Sequence, residues 1–128
     1  MDCLFCKIAN GEIPSKKVYE DDLVSVFLDI NPHTNGECLI VPKEHYLDYK
    51  SISNELNTHI NDVITKLDTL YQEKLHSSGL TIIHNSGIGQ EIKHYHVHFI
   101  PRYELDDIKL IKKNELYDLD KIISILNN

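Results

Sequence analysis

The sequence contains no apolar run approaching the roughly 18 residues that a membrane-spanning helix needs, so we expect no membrane partner. It also lacks an excess of basic residues: 13 Lys and Arg stand against 20 Asp and Glu, giving a formal net charge of −7 at pH 7. Nonspecific nucleic-acid binding depends on Lys and Arg to neutralise phosphates, so this charge argues against a nucleic-acid partner. A small anionic substrate stays compatible, because a local cleft can be electropositive on an acidic protein.

The N-terminus lacks the basic segment followed by an apolar one that marks a signal peptide, and we expect a cytoplasmic protein. The sequence shows no internal repeat, linker or low-complexity tract, so residues 1–128 are expected to form one domain. Cysteines number three, and two of them, Cys3 and Cys6, form a close pair. In a reducing compartment such a pair suggests metal or redox chemistry.

Three histidines alternate with apolar residues in the stretch 94–102. Strict alternation is the period of a strand, so His94, His96 and His98 should share one face and the apolar residues the other. We expect a strand from His94 to Arg102 whose apolar face packs and whose histidine face looks into a cleft. Pro101 has no backbone N–H and is expected to end the hydrogen-bond ladder.

Three imidazoles at alternate positions favour a function over a purely structural role. The residues themselves leave two functional interpretations open. Either the row performs chemistry with imidazole itself, or part of it holds a metal, because His-x-His on a strand can give two ligands to one zinc.

The rest of the sequence predicts an α+β fold. Strands are expected at residues 18–20, 23–30, 38–41 and 80–83, from alternating or wholly apolar runs. A long amphipathic helix is expected from the N-cap Ser53 to a stop at Gly79, and a second helix at the C-terminus over residues 116–126. These elements amount to an antiparallel sheet of about five strands with one long helix and a C-terminal helix.

The histidine row resembles the signature of the histidine triad (HIT) family. Further motifs in the family's order and spacing lie at residues 3–8, 11–14, 19–22, 27–32, 41–45, 89–91 and 100–102. Within the family, the sequence looks like the bacterial nucleoside-phosphoramidase-like branch. The resemblance implies the HIT fold and a two-fold homodimer whose sheets are continuous.

The activity that the resemblance implies is hydrolysis or transfer at the α-phosphorus of a nucleotide, releasing a nucleoside monophosphate without a catalytic metal. Purine nucleoside phosphoramidates, acyl-nucleotides or dinucleoside polyphosphates would be substrates. His96 would attack phosphorus to form a nucleotidyl-histidine, and His98 would hydrogen-bond a nonbridging oxygen. His94 would orient His96 or ligate zinc. Two rival functions are a zinc-dependent hydrolase using His94 and His96 as ligands, and a nucleotide-binding regulatory module with little turnover.

The resemblance also implies binding residues. Asp29 would hydrogen-bond the ribose hydroxyls. The base pocket would be walled by Leu4, Phe5, Ile8, Phe27 and Ile30, and the phosphate side lined by Asn85, Gly89, Gln90 and Glu91. Each of the apolar residues is equally explained as core. The sequence departs from the family at Glu37, where a histidine is usual, and at Glu91, where Ser or Thr is frequent.

The cysteine pair alone is compatible with half of a zinc site, a redox pair or chance. A zinc site needs two more ligands, for which His45 and His94 are the candidates. By resemblance, Cys3, Cys6, His45 and His94 would hold a structural zinc, since a four-ligand site leaves no open position for catalysis. The alternative is a pair of small buried thiols beside a partly exposed His45.

Overall fold

The computed structural model describes residues 3–106 and 113–127, and its centre is a five-stranded sheet. The strands are β1 (Lys17–Glu20), β2 (Val24–Leu28), β3 (Cys38–Pro42), β4 (Gly79–Ile83) and β5 (Val97–Arg102). Their order across the sheet is β1-β2-β3-β5-β4, and each neighbouring pair is antiparallel. The predicted α+β architecture is therefore confirmed.

Three α-helices accompany the sheet: α1 (Leu4–Ala9), α2 (Asn54–Leu75) and α3 (Leu119–Leu126), with a short 3-10 turn at Tyr49–Ser51. The predicted N-cap of α2 is present, because the Ser53 hydroxyl accepts a hydrogen bond from the Leu56 amide at 3.0 Å. The predicted C-terminal helix also forms, with Asp118 as its N-cap. Within the described ranges, no helix is long and apolar enough to cross a membrane.

The predicted end of α2 at Gly79 is wrong. The helix ends at Leu75, and His76 adopts the left-handed conformation with φ 59° and donates its backbone N–H to the Tyr71 carbonyl. A non-glycine residue thus makes the helix stop, and Gly79 instead begins β4.

The two faces of the sheet are covered by different helices. On one face the apolar stripe of α2 packs against alternate strand residues, including Val26, Ile40 and Phe99. On the other face Phe5 of α1 packs against Leu39 and its neighbours. Because β3 is buried on both sides, it reads in the sequence as an unbroken apolar run.

This arrangement decides which face carries the histidines. Leu39 lies opposite His98 in the β3–β5 register, and cross-strand partners share a face of the sheet. The apolar face of the histidine stretch therefore packs on α2, as the alternation predicted, and the imidazoles lie on the α1 side.

The strand predicted over residues 94–102 is shorter at its start. It begins at Val97, and Tyr95 donates its backbone N–H to the Tyr46 carbonyl at 2.6 Å rather than to a strand ladder. Pro101 does not end the strand either. The ladder to β3 stops at Phe99, while the ladder to β4 continues past Pro101 to Arg102. Because β3 no longer pairs with β5 at Pro101, the missing N–H of this proline removes no hydrogen bond to β3.

The strand predicted over residues 23–30 is also shorter and spans Val24–Leu28. Asp29 and Ile30 follow its end, so they belong to the loop that leads to β3. Gly36 in that loop has φ 95°, and a Cβ there would lie 2.9 Å from Tyr71 and from Leu75. Glycine is therefore required at this position, where the chain turns back along α2 immediately before Glu37.

Candidate active site

A cavity of about 930 Å³ lies between α1, the end of β2 and the histidine stretch. It is lined by each of the residues predicted to wall a base pocket, namely Leu4, Phe5, Ile8, Phe27 and Ile30. Ile30 is 92% exposed, so burial in the core does not explain it. The apolar residues thus form one continuous wall, which suits a flat apolar ligand group.

Polar residues lie along the same cavity. Asp29, Asn85, Gly89 and Glu91 line it together with His96 and His98. Asp29 follows β2 directly, and its Oδ1 accepts a hydrogen bond from the Asn31 amide at 2.9 Å. The structure therefore brings the predicted ribose residue, three of the four predicted phosphate residues and two of the three histidines to one cavity.

Gln90 is a predicted site residue that does not line the cavity. Its side chain is buried and donates from Nε2 to the Leu47 carbonyl at 2.6 Å, and its amide donates to the Gly87 carbonyl. The positive φ of Gly87 and of Gly89 shapes this loop so that Gln90 turns inward. Its side chain therefore anchors the glycine loop to the segment after β3, and the prediction that Gln90 lines the phosphate side is wrong for this conformation.

His96 occupies the centre of the histidine face. Its ring lies edge-on to Phe5 at a centroid distance of 4.8 Å and to His98 at 5.0 Å. Its Nδ1 lies 2.8 Å from the His94 backbone carbonyl, which can only accept, so Nδ1 carries the proton and donates. The lone pair of His96 is then on Nε2. Burial lowers the pKa of His96, which keeps the imidazole neutral and nucleophilic.

His94 supports His96 through its backbone rather than its ring. The His94 side chain has no exposure, and its Nε2 donates to the Pro42 carbonyl at 2.9 Å. The prediction that all three imidazoles look into a cleft is therefore wrong for His94. With Nε2 protonated, the Nδ1 lone pair points to the sulfurs of Cys3 and Cys6, each 3.3 Å away.

The four predicted metal ligands form one cluster. The donor atoms of Cys3, Cys6, His45 and His94 all lie within 4.8 Å of one another, and Cys6 Sγ is 3.3 Å from His45 Nδ1. Around a tetrahedral zinc, neighbouring sulfur and nitrogen ligands lie about 3.4–3.8 Å apart. The donor set, its spacing and the carbonyl behind His94 Nε2 all fit a closed zinc site.

Protonation states in the cluster are consistent with this fit. Burial lowers the pKa of His94 to about 4, so its ring is neutral, as a ligand must be. Burial and the neighbouring Cys3 raise the pKa of the Cys6 thiol to about 11. A bound divalent cation reverses that shift, because it stabilises the thiolate directly.

Glu37 and His33 extend the site behind His98. The Glu37 side chain is fully buried; its Oε2 lies 3.3 Å from Nδ1 of His98, and its Oε1 lies 2.8 Å from Nδ1 of His33. Sequence reasoning identified Glu37 as a departure but did not find His33, which lies in a loop without periodicity. No local pattern marks His33, because its role depends on the burial of Glu37, which only the structure shows.

Comparison with known proteins identifies the family. Residues 10–105 match the family model described as the HIT domain. The chain belongs to the histidine triad family. That one domain spans residues 1–128 stays a prediction.

Relatives of the HIT chain include proteins from archaea, plants and fungi. An uncharacterized HIT-like protein of Methanocaldococcus jannaschii is 45% identical over 94% of this chain and 95% of its own length. A protein of Schizosaccharomyces pombe named adenosine 5'-monophosphoramidase is 34% identical over 80% of this chain and 75% of its own. One of Arabidopsis thaliana named adenylylsulfatase is 36% identical over 82% of this chain and 54% of its own. The latter two names support a hydrolase acting on nucleotides.

Solved structures of HIT proteins superpose closely on this one. A member from Bacillus subtilis has a TM-score of 0.83 at 35% identity, covering 99% of this chain and 94% of that one. A histidine triad protein from Mycobacterium smegmatis, described as zinc-bound, has a TM-score of 0.81 at 31% identity, covering 90% and 85%. These likenesses establish the HIT fold for this chain.

Proposed function

We propose that this HIT protein hydrolyses nucleotides at the α-phosphorus, with His96 as nucleophile and a nucleoside monophosphate as product. The observation that carries the proposal is the hydrogen bond from His96 Nδ1 to the His94 carbonyl. It leaves a neutral imidazole with its free lone pair on Nε2, in a cavity that Phe5 and Asp29 also line. Purine nucleoside phosphoramidates, acyl-nucleotides and dinucleoside polyphosphates are the substrate classes.

In the first step His96 Nε2 forms a bond to the α-phosphorus. The bond from phosphorus to the leaving group breaks, and its electron pair departs with the leaving group, which takes a proton from solvent when it is an amine. His98 lies next on the same face and can donate to a nonbridging oxygen as charge develops there. In the second step water attacks phosphorus, the P–Nε2 bond breaks with its electron pair returning to His96, and the proton of water passes to solvent.

Base and ribose binding would use the apolar wall and Asp29. The wall containing Leu4, Phe5 and Ile8 suits a purine ring, and the Asp29 carboxylate can accept hydrogen bonds from ribose hydroxyls. Asn85, Gly89 and Glu91, which line the same cavity, would form its phosphate side.

A structural zinc would be held by Cys3, Cys6, His45 and His94, without an open coordination position. When bound, it supplies folding energy rather than catalysis, since it ties the start of α1 to the residues just before His96. A zinc-dependent hydrolase using His94 and His96 is disfavoured. His94 Nδ1 points to the cysteines, and among the described residues the cluster of possible metal ligands that contains His94 does not include His96.

The test of this function is turnover of an adenosine phosphoramidate in buffer without added metal, with release of AMP followed by chromatography. We expect AMP at a rate well above the uncatalysed reaction, because no step requires an added metal. Hydrolysis in ¹⁸O-labelled water should place one labelled oxygen on AMP, as cleavage at phosphorus requires. AMP release no faster than the uncatalysed reaction, with AMP bound tightly, would contradict the proposal and favour a regulatory binding module.

We also propose that the protein is a symmetric homodimer, joined along β4. In the described part of the chain, β4 has a partner on one side only, and Ile82 of this strand is 40% exposed. An apolar edge strand of this kind is normally paired or covered. Light scattering at micromolar concentration should give twice the chain mass.

Ile82→Arg should shift this mass towards the monomer, because it places a charge in the apolar contact. Ile30→Arg is the matched control: Ile30 is also an exposed isoleucine, but it follows β2, which β3 and β5 separate from β4. A monomeric mass for the unaltered protein would rule out the dimer.

A further inference from the structure

Glu37 is a buried carboxylate placed directly against the catalytic face. Its side chain has 0% exposure, and two imidazoles, a backbone amide and the Asp29 side chain lie around it. Oε1 accepts the His33 amide hydrogen bond and faces His33 Nδ1, both at 2.8 Å, and Oε2 lies 3.3 Å from His98 Nδ1. His33 and His98 line the cavity, while Glu37 stands behind them.

The carboxyl of Glu37 is ionised at neutral pH. Burial by itself raises the pKa of a carboxyl, but hydrogen bonds from the backbone and side chain of His33, and one from His98, outweigh it and lower the pKa of Glu37. A fixed negative charge therefore lies next to the imidazole that would contact the phosphate. If His98 is protonated, Glu37 cancels its charge; if His98 is neutral, Glu37 leaves a net negative charge there.

The rest of the cavity adds little positive charge. Among the described residues that line it, Lys16 is the one with a permanent positive charge, whereas Asp29 and Glu91 are carboxylates. Together with Glu37, three carboxylates face one ammonium. Lys16 and the imidazoles can stabilise the negative charge of a single phosphate. A chain of phosphates would bring several more negative charges close to the carboxylates, which would repel them.

We propose that Glu37 is a specificity-determining residue whose charge, placed beside His98, restricts the site to substrates whose phosphate groups carry a single negative charge in total. Nucleoside phosphoramidates and acyl-nucleotides belong to this class, and dinucleoside polyphosphates are disfavoured. The inference rests on the function proposed above and narrows its substrates.

Glu37→Gln tests the charge with the least change of shape, because the amide oxygen can still accept from His98. We expect kcat/KM for diadenosine triphosphate, relative to that for adenosine phosphoramidate, to rise at least tenfold. The two additional negative charges of diadenosine triphosphate then no longer face the Glu37 carboxylate, so the repulsion that weakens its binding is removed. The gain should be mainly in KM for the polyphosphate. A purely structural role of Glu37 would move both substrates together.

Glu73→Gln is the matched control, because it removes one exposed carboxylate on α2 and leaves the cavity unchanged. The substrate ratio should stay within about twofold of the unaltered protein. A ratio equally unchanged in folded Glu37→Gln, checked by its melting curve, would overturn the proposal.

Binding of AMP, ADP and ATP to the unaltered protein, measured by calorimetry, provides a test that needs neither a variant nor turnover. We expect affinity to fall with each added phosphate. ATP binding as tightly as AMP would overturn the inference even if phosphoramidates are hydrolysed. Falling affinity without hydrolysis would support the charge selection and refute the proposed reaction instead.

Discussion

Cys3→Ser is expected to release zinc from the protein and to lower its melting temperature by roughly 10 °C or more. Protein purified under reducing conditions should carry about one zinc per chain, measured by elemental analysis. The physical reason is that Cys3 Sγ lies 3.3 Å from His94 Nδ1, inside a four-ligand cluster. A serine oxygen is a poor substitute for a thiolate, so the site opens and its folding energy is lost.

Cys3→Ser should have a larger effect on the melting temperature than on turnover per folded molecule, because the zinc ligands do not line the cavity. Cys38→Ala is the control for loss of a buried cysteine. Cys38 is also free and buried but lies in the core between β3 and α2, outside the cluster. That variant should lose stability and keep its zinc. Metal-free protein whose melting temperature is unchanged by a chelator would contradict the zinc site.

The fold could be predicted largely because its apolar patterns are local and regular. The alternation in residues 94–102 correctly gave the face that packs on α2, since side-chain direction depends on the period rather than on ladder pairing. The start of the strand could not be predicted, because it depends on Tyr95 bonding to Tyr46, far away in sequence. The end of α2 was missed because His76 takes a conformation that usually favours glycine.

In the candidate site too, local sequence motifs predicted some residues, whereas others depend on contacts between residues distant in sequence. The sequence led to the residues of the cavity wall and the zinc cluster through family motifs, and the structure gathers nearly all of them. Gln90 could not be placed from sequence, because its direction is decided by the Leu47 carbonyl. The partnership of His33, Glu37 and His98 likewise depends on tertiary contacts that no local pattern shows.

His96→Ala is expected to abolish hydrolysis of an adenosine phosphoramidate, with a loss of at least roughly four decades in kcat. The imidazole of His96 provides the attacking Nε2, and its removal leaves no nucleophile at the centre of the histidine face. Affinity for AMP should change by no more than about threefold, because contacts to the base and ribose through Phe5 and Asp29 persist. His98→Ala should be milder, at roughly two to three decades, as is usual for the loss of one donor to a developing oxyanion.

The covalent intermediate gives the sharpest evidence on the same residue. Unaltered protein mixed with substrate and quenched rapidly in denaturant without acid should carry a nucleotide, and peptide mass spectrometry should place it on His96. His76→Asn serves as control, since His76 is exposed at the end of α2 and Asn tolerates its left-handed backbone. That variant should retain both turnover and labelling. Full activity in His96→Ala, or a nucleotide found on His98 instead, would show that the middle histidine is not the nucleophile.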